Sequence, residues 1–341
     1  MSGGPTCPRT RSTFTAAHLP VLIHHLAPQP QRRSENALIA FSMNHRSILR
    51  RMLLACGMSA LALAGCHKPE AAQPEHPRLA PGVTMQDVSF FSAALNRQKL
   101  YRVFLPASLV PGRKLPVIYL LHGNGGSSWN WSNYSDVARF AATEESGGLI
   151  LVMPEGGSSY YMNAALKPEE KYEDYLVNDL IADVAARFPA ARGRESRAIV
   201  GVSMGGYASV KLALTRPDLF VFAGAISPAI DVPSRRFTFR RAEQYWRFKS
   251  IFGAWGSESR RSSDPFILVQ SADPAVTPFI YLTAGEQEPL LEPNRRFASR
   301  LRERHFAYEF HTKPGGHDWN EWDAQIPGCF ASLLLHLKPE N

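Results

Sequence analysis

The chain has 341 residues, 45% of them apolar, with 38 lysines and arginines against 30 acids for a formal charge of +8, and four cysteines. That is too apolar for a disordered polypeptide, and long enough for one large domain or two small ones. A basic surplus would point to nucleic acid or an anionic membrane if it lay on a folded surface, but residues 1–65 hold seven arginines (Arg9, Arg11, Arg32, Arg33, Arg46, Arg50, Arg51) against one acid, Glu35, so only +2 is left for the rest of the chain and nucleic-acid binding loses its argument.

Residues 1–42 mix Pro, His, Arg and Ser without helical or strand periodicity and read as a non-native extension ahead of a natural first residue, Met43. Arg46, Arg50 and Arg51 then lead into the uncharged run MLLACGMSALALAG, Met52 to Gly65, which falls short of the about 20 residues a bilayer crossing needs. Residues 43–65 therefore have the layout of a secretory signal peptide. The run ends in Leu63-Ala64-Gly65-Cys66, which resembles the bacterial lipobox. That resemblance implies removal of the leader, acylation of the Cys66 thiol, and a lipid-anchored location in the bacterial cell envelope, at the periplasmic face of the outer membrane.

Cysteine usage agrees with export. Cys7 and Cys56 leave with the leader, Cys66 takes the lipid, and Cys329 remains alone in the apolar pattern IPGCFASLLLHL, where a buried, inert thiol is expected. No CxxC or HExxH spacing occurs, so neither a metal site nor a cofactor is expected. Residues 66–82 are rich in proline and read as a tether, with one domain over 83–341.

Within that domain strand and helix signals alternate. Val88 to Ala94 and Tyr101 to Leu105 read as a strand pair, and Leu115 to Leu121 (LPVIYLL) as a buried parallel strand; Gly148 to Met153, Ala198 to Val202, Phe222 to Ile226, Phe279 to Thr283 and Ala307 to His311 follow. Helical stretches fall between them at Asp136 to Thr143, Tyr172 to Phe188, Gly206 to Thr215 and Pro293 to Arg304. This alternation predicts an α/β fold with a mostly parallel sheet covered on both faces.

Gly201-Val202-Ser203-Met204-Gly205 lies between a β-rich run and a helix-like one, the strand-turn-helix setting of a nucleophile elbow, in which a tight turn lifts Ser203 above the sheet. A serine hydroxyl needs a base to take its proton. In the chain order Ser, acid, His, that base is His305, His311, His317 or His336; His317, in the loop Gly315-Gly316-His317-Asp318-Trp319, is the one free to swing over the sheet edge. Glu286 and Glu288 follow the strand ending at Thr283 and are equally placed to orient the base, whereas Asp273 precedes that strand and Asp318 adjoins the histidine too closely. An oxyanion needs two N–H donors. Met204, just after the nucleophile, offers one, and Asn124 in His122-Gly123-Asn124-Gly125-Gly126 the other, with His122 as a prop for that loop.

From about Val88 onward the segments LPVIYLLHGNGG, YEDYLVNDLIADVAARFP, GVSMGGYASVKLALTRPDLF, GEQEPLLEPNRRF and GGHDWNEW resemble, in order, the esterase D-like family of α/β-hydrolases, which includes S-formylglutathione hydrolases, tributyrin and feruloyl esterases, and mycolyltransferases. The resemblance implies an α/β-hydrolase fold with Ser203 as nucleophile, His317 as base, and the Asn124 and Met204 amides as oxyanion hole. It also selects Glu288, three residues after the glycine of GEQEPLL, where the commoner family acid is Asp and the mycolyltransferases carry Glu.

The reaction expected is hydrolysis of a small-molecule ester through an acyl-Ser203 intermediate. Transfer of the acyl group to a sugar hydroxyl is the alternative on the same triad; a catalytically silent binding lipoprotein is a third reading that the filled triad positions disfavour. Trp129, Trp131, Tyr134, Tyr160, Tyr161, Trp319 and Trp322 fall on loops at the ligand-binding edge, although ordinary packing accounts for most residues of this kind. An insertion from Asp231 to Asp264 carries eight basic residues against four acids and reads either as a cap over the site or as a solvated helical face.

Overall fold

The continuous apolar runs form the strands they predict. The computed structural model describes residues 75–143, 147–235 and 242–338, so the 1–42 extension, the 43–65 leader and Cys66 lie outside the described residues. β1 (Val83–Ser92) and β2 (Arg97–Pro106) make an antiparallel hairpin, followed by β3 (Val117–Leu121), a short helix α1 (Asn130–Tyr134), and β4 (Ile150–Pro154). The helix α2 runs through Tyr172–Asp174, a π-helical stretch Tyr175–Leu180 and Ile181–Arg187. Then come β5 (Arg197–Val202), α3 (Met204–Thr215), β6 (Phe222–Ile226), α4 (Ala242–Phe252), α5 (Glu258–Arg261), α6 (Pro265–Ser271), β7 (Phe279–Gly285), α7 (Leu291–Glu303), β8 (Tyr308–Lys313) and α8 (Trp319–His336).

The strands form one eight-stranded sheet in the order β1-β2-β4-β3-β5-β6-β7-β8. β2 runs antiparallel to both its neighbours, β1 and β4; the pairs joining β4, β3, β5, β6, β7 and β8 are all parallel. The fold is therefore the expected α/β-hydrolase architecture. Alternation along β3 shows how both faces are covered: Val117, Tyr119 and Leu121 pack under α2, α3 and α7, while Ile118 and Leu120 point to the face covered by α1 and α8.

The differences from the sequence reading lie where only part of an element is buried. β1 starts at Val83 rather than Val88, because its residues alternate between exposed and half-buried at the sheet edge and leave no continuous apolar run. The stretch expected as a helix over Asp136 to Thr143 is a 3₁₀ turn, Val137–Ala142. Six residues cannot repay α-helix nucleation, and they bury Val137, Ala138 and Ala141 by the tighter winding. Cys329 is a buried free thiol whose pKa burial pushes up, as expected of an inert packing residue.

Part of the expected tether is docked on the domain. Glu75 and both oxygens of Asp87 bind the buried Arg102 guanidinium of β2, each at 2.7 Å. Arg102 also donates to Ser132 Oγ at 2.8 Å, and the Arg78 N–H donates to the Ser132 carbonyl at 2.7 Å. Residues 75–78 thus form a strap along α1.

The described part of the basic insertion is largely helical, and its charges are not all solvated. Arg260 is buried and donates to the carbonyls of Pro233 and Gly253 at 2.7 and 3.1 Å. Loss of hydration there lowers its pKa.

Candidate active site

Ser203 sits between β5 and α3 with φ 53° and ψ −109°, a left-handed conformation that a non-glycine residue holds only when its surroundings impose it. The surroundings are visible. The Ser203 N–H donates to the Ile226 carbonyl at 2.9 Å, and the Ser203 carbonyl accepts the Tyr207 and Ala229 N–H groups, both at 3.0 Å. The flanking glycines are required by space: a Cβ on Gly201 would lie 2.2 Å from the Gly205 carbonyl carbon, and one on Gly205 would lie 2.3 Å from the Leu121 carbonyl oxygen.

His317 reaches Ser203 from the loop between β8 and α8. Its Nε2 lies 2.9 Å from Ser203 Oγ, and its Nδ1 lies 2.6 Å from Glu288 Oε2. The second Glu288 oxygen accepts the Gly285 N–H at 3.1 Å, and the Glu288 side chain is wholly buried. The two loops fasten to each other: Gln287 N–H donates to the Gly315 carbonyl at 3.0 Å, and Glu286 N–H to the Lys313 carbonyl at 2.8 Å. Gly285 permits this, since a Cβ there would meet the Gly315 carbonyl oxygen at 2.5 Å.

The other candidates are occupied elsewhere. Glu286 faces outward, with its carboxylate accepting from Thr312 at 3.3 Å, and Asp273 accepts the Ala275 N–H at 2.9 Å in its own turn. Asp318 caps α8 through the Asn320 N–H at 3.0 Å. His311 pairs with Glu309 at 2.7 Å, His336 stacks on Phe279 with ring centroids 4.1 Å apart, and His305 is an exposed turn residue.

The glycine loop after β3 packs against Ser203: a Cβ on Gly123 would stand 3.6 Å from that of Ser203. His122 holds this loop. Its Nδ1 lies 2.7 Å from the Gly123 carbonyl and its Nε2 accepts the Gly156 N–H at 2.9 Å, which fixes one neutral tautomer. Burial lowers the His122 pKa, in keeping with a ring that stays uncharged. Asn124 lies on this loop at the wall of the cleft, and Met204 is the first residue of α3, so its N–H has no carbonyl one turn back within the helix.

Sequence reasoning missed Glu155, and it counted Tyr161 only among the aromatic residues of the ligand-binding edge, not as a brace of this loop. Glu155, just past β4, accepts the Ser128 N–H at 3.1 Å and the Gly157 N–H at 3.0 Å, and Tyr161 Oη accepts the His122 N–H at 3.1 Å. An acid at the end of an apolar strand was the available signal for Glu155. None announces the bracing role of Tyr161, whose position depends on a positive φ of 52°.

The cleft over Ser203 has a volume of about 570 Å³, bounded by Gly123–Gly126 on one side and by Tyr134, Trp319 and Trp322 on the other. Trp322 stands edge-on to the His317 ring with centroids 5.0 Å apart, and Trp319 contacts Trp322 and Tyr134 at 5.2 and 5.7 Å. Trp131, Tyr160 and Tyr161 are buried rather than exposed to the cleft. Among the described residues no group of three or more His, Cys, Asp or Glu side chains is arranged to hold a metal.

Residues 92–333 match the family model described as "Putative esterase". An acetyl esterase of Caldicellulosiruptor saccharolyticus is 26% identical over 262 residues, covering 73% of this chain and 97% of that protein. Among solved structures, the fluorophosphonate-binding serine hydrolase F of Staphylococcus aureus aligns with a TM-score of 0.65 and 25% identity over 74% of this chain and 98% of its own. An S-formylglutathione hydrolase of Agrobacterium tumefaciens aligns with a TM-score of 0.66 at 20% identity, over 77% of this chain and 99% of its own, a likeness of fold.

Proposed function

The chain belongs to this esterase family and is a carboxylic ester hydrolase, and from that premise we propose that it cleaves its substrate through a Ser203-His317-Glu288 triad and an acyl-enzyme intermediate. The observation that carries the proposal is the continuous contact from Glu288 through His317 to Ser203, 2.6 Å and then 2.9 Å. The Ser203 proton passes to His317 Nε2 as Oγ attacks the ester carbonyl carbon, and Glu288 stabilises the imidazolium without taking its proton. The carbonyl oxygen, now negative, is received by the Asn124 and Met204 N–H groups. As the tetrahedral intermediate collapses, His317 gives its proton to the departing alcohol and the acyl group stays on Ser203. Water then repeats the sequence and releases the acid. Every proton transfer uses a group of the chain itself.

Acyl transfer to a sugar hydroxyl is the second reading. It is favoured by the open cleft of about 570 Å³ with an aromatic wall, where an acceptor ring has a surface to lie on beside the acyl-serine. Turnover of 4-nitrophenyl esters of increasing chain length by wild type and by Ser203→Ala tests the first reading. Equal inertness of the two across the series refutes it, and product analysis with added sugars divides hydrolysis from transfer.

The proposed setting is the bacterial cell envelope, with Cys66 lipidated after removal of 43–65. The basic flank, the short apolar run and the small residues before Cys66 support it. Among the described residues no helix is long and apolar enough to cross a membrane. Loss of detergent-phase partitioning in Cys66→Ser tests the anchor; unchanged partitioning contradicts it.

A further inference from the structure

A second cavity, of about 490 Å³, lies between the loop after β4 and the cap helix α4 and contains no residue of the proposed triad. Ser158, Ser159, Met162 and Lys167 wall it on one side, and Trp246 and Arg247 on the other. Its volume is in the range of small-molecule sites and close to that of the catalytic cleft.

The charge of the cavity is one-sided. Glu170 is a carboxylate in the wall, but both its oxygens are taken by Arg97, at 2.9 and 2.6 Å. Lys167 and Arg247 make no salt bridge among the described residues, although Lys167 feels the Glu170 charge and Arg247 lies over the Phe248 ring at 5.6 Å; Lys249, outside the wall, lies over the Trp246 ring at 4.9 Å. Trp246 itself is 62% exposed, so its indole is accessible to a ligand in the cavity that it lines. Two cations without a carboxylate in salt-bridge range, beside an indole that lines the same cavity, suit an anion with a flat apolar face.

The shared wall is built at a cost. Tyr160 and Tyr161 both hold positive φ, 57° and 52°, which bulky residues adopt only when the structure around them compels it. Tyr160 packs against Phe248 and Phe252 of α4, and its N–H meets Met204 Sδ at 3.3 Å. Tyr161 carries the hydroxyl that accepts the His122 N–H. One short loop therefore faces the cavity through Ser158, Ser159 and Met162 and faces the proposed oxyanion site through Tyr160 and Tyr161.

We propose that this cavity binds a ring-shaped carboxylate, an aromatic acid or a uronic acid, with its carboxylate on Lys167 and Arg247 and its ring against Trp246. The site is separate from the triad, and its test does not depend on hydrolysis. The purified protein is titrated with benzoate, glucuronate, their neutral counterparts benzyl alcohol and methyl glucoside, and inorganic phosphate, with binding followed by ligand-observed NMR. Saturable millimolar binding of at least one carboxylate is expected, and whichever binds identifies the aromatic or the sugar source. The neutral counterparts, phosphate, and each of Arg247→Glu and Lys167→Glu toward the carboxylate should be weaker by about tenfold or more. Trp246→Ala should weaken the carboxylate as well, and Ser203→Ala should bind it like wild type. Absence of saturable binding, phosphate binding as well as the ring carboxylates, or binding undiminished in both charge-reversal variants overturns the proposal.

Discussion

Glu288 and His317 meet through a 2.6 Å contact in which the carboxylate is fully buried and the imidazole half-exposed, so the acid has one orientation and the base follows it. The Gly285 N–H on the other carboxylate oxygen removes the remaining freedom of the Glu288 head group. If this pair sets the tautomer of His317, Glu288→Gln should lower kcat by about 10³- to 10⁴-fold with little change in KM or in the unfolding midpoint. Glu286→Gln, whose carboxylate reaches only Thr312, should keep full activity. Steady-state kinetics on the two variants check this, and the reverse pattern moves the acid to Glu286.

Gly205 is a steric requirement of the elbow. A methyl group there would lie 2.3 Å from the Leu121 carbonyl oxygen in the middle of the sheet, where neither the backbone of β3 nor that of α3 can yield. Gly205→Ala should cost several kcal/mol, on the order of 3 or more, and give little soluble protein. Gly125→Ala meets no atom within 4 Å and is penalised only by its φ of 76°, so it should fold with a loss of about 1 kcal/mol. Urea unfolding of the pair separates the two causes.

The neutral, buried His122 makes the fold sensitive to acid. Its folded pKa lies below the ordinary 6.5, chiefly through burial, so the unfolded chain binds the extra proton first. Stability from this group is complete above about 6.5 and is lost as pH falls toward the lower folded value. His122→Gln should be less stable than wild type at neutral pH but lose less on acidification to about pH 5. Parallel pH slopes for the two proteins would remove His122 from the account.

Arg102 is 2% exposed and ties Glu75, Asp87 and Ser132 together, so it fastens both the strap and the helix that carries Asn130 and Tyr134 at the cleft. Its carboxylate partners are half-exposed and can return to water, which limits the penalty of removing it. Arg102→Met should cost about 1–3 kcal/mol and raise KM more than it lowers kcat. Unchanged KM in a folded variant would show that α1 keeps its place without the strap.

Much of this arrangement was legible in the sequence, and the boundary has physical reasons. The central strands announce themselves because both faces are buried, and Ser203 because its glycines are demanded by backbone contacts that a short motif encodes. His317 followed from chain order and a glycine loop. Choosing Glu288 over Glu286 needed the family resemblance, since local spacing does not reveal which carboxylate turns inward. The docked strap and the bracing role of Tyr161 stayed hidden: Pro-rich composition says nothing of a single buried arginine waiting at Arg102, and a tyrosine at positive φ breaks the local preference by which turns are read.

The most direct measurement is the intact mass and peptide map of protein treated with an alkyl fluorophosphonate. One phosphonyl group on the peptide containing Ser203, absent in Ser203→Ala and formed much more slowly in His317→Ala, is the predicted result. Labelling of another residue, or equal labelling of wild type and Ser203→Ala, would contradict the assignment of Ser203 as the nucleophile.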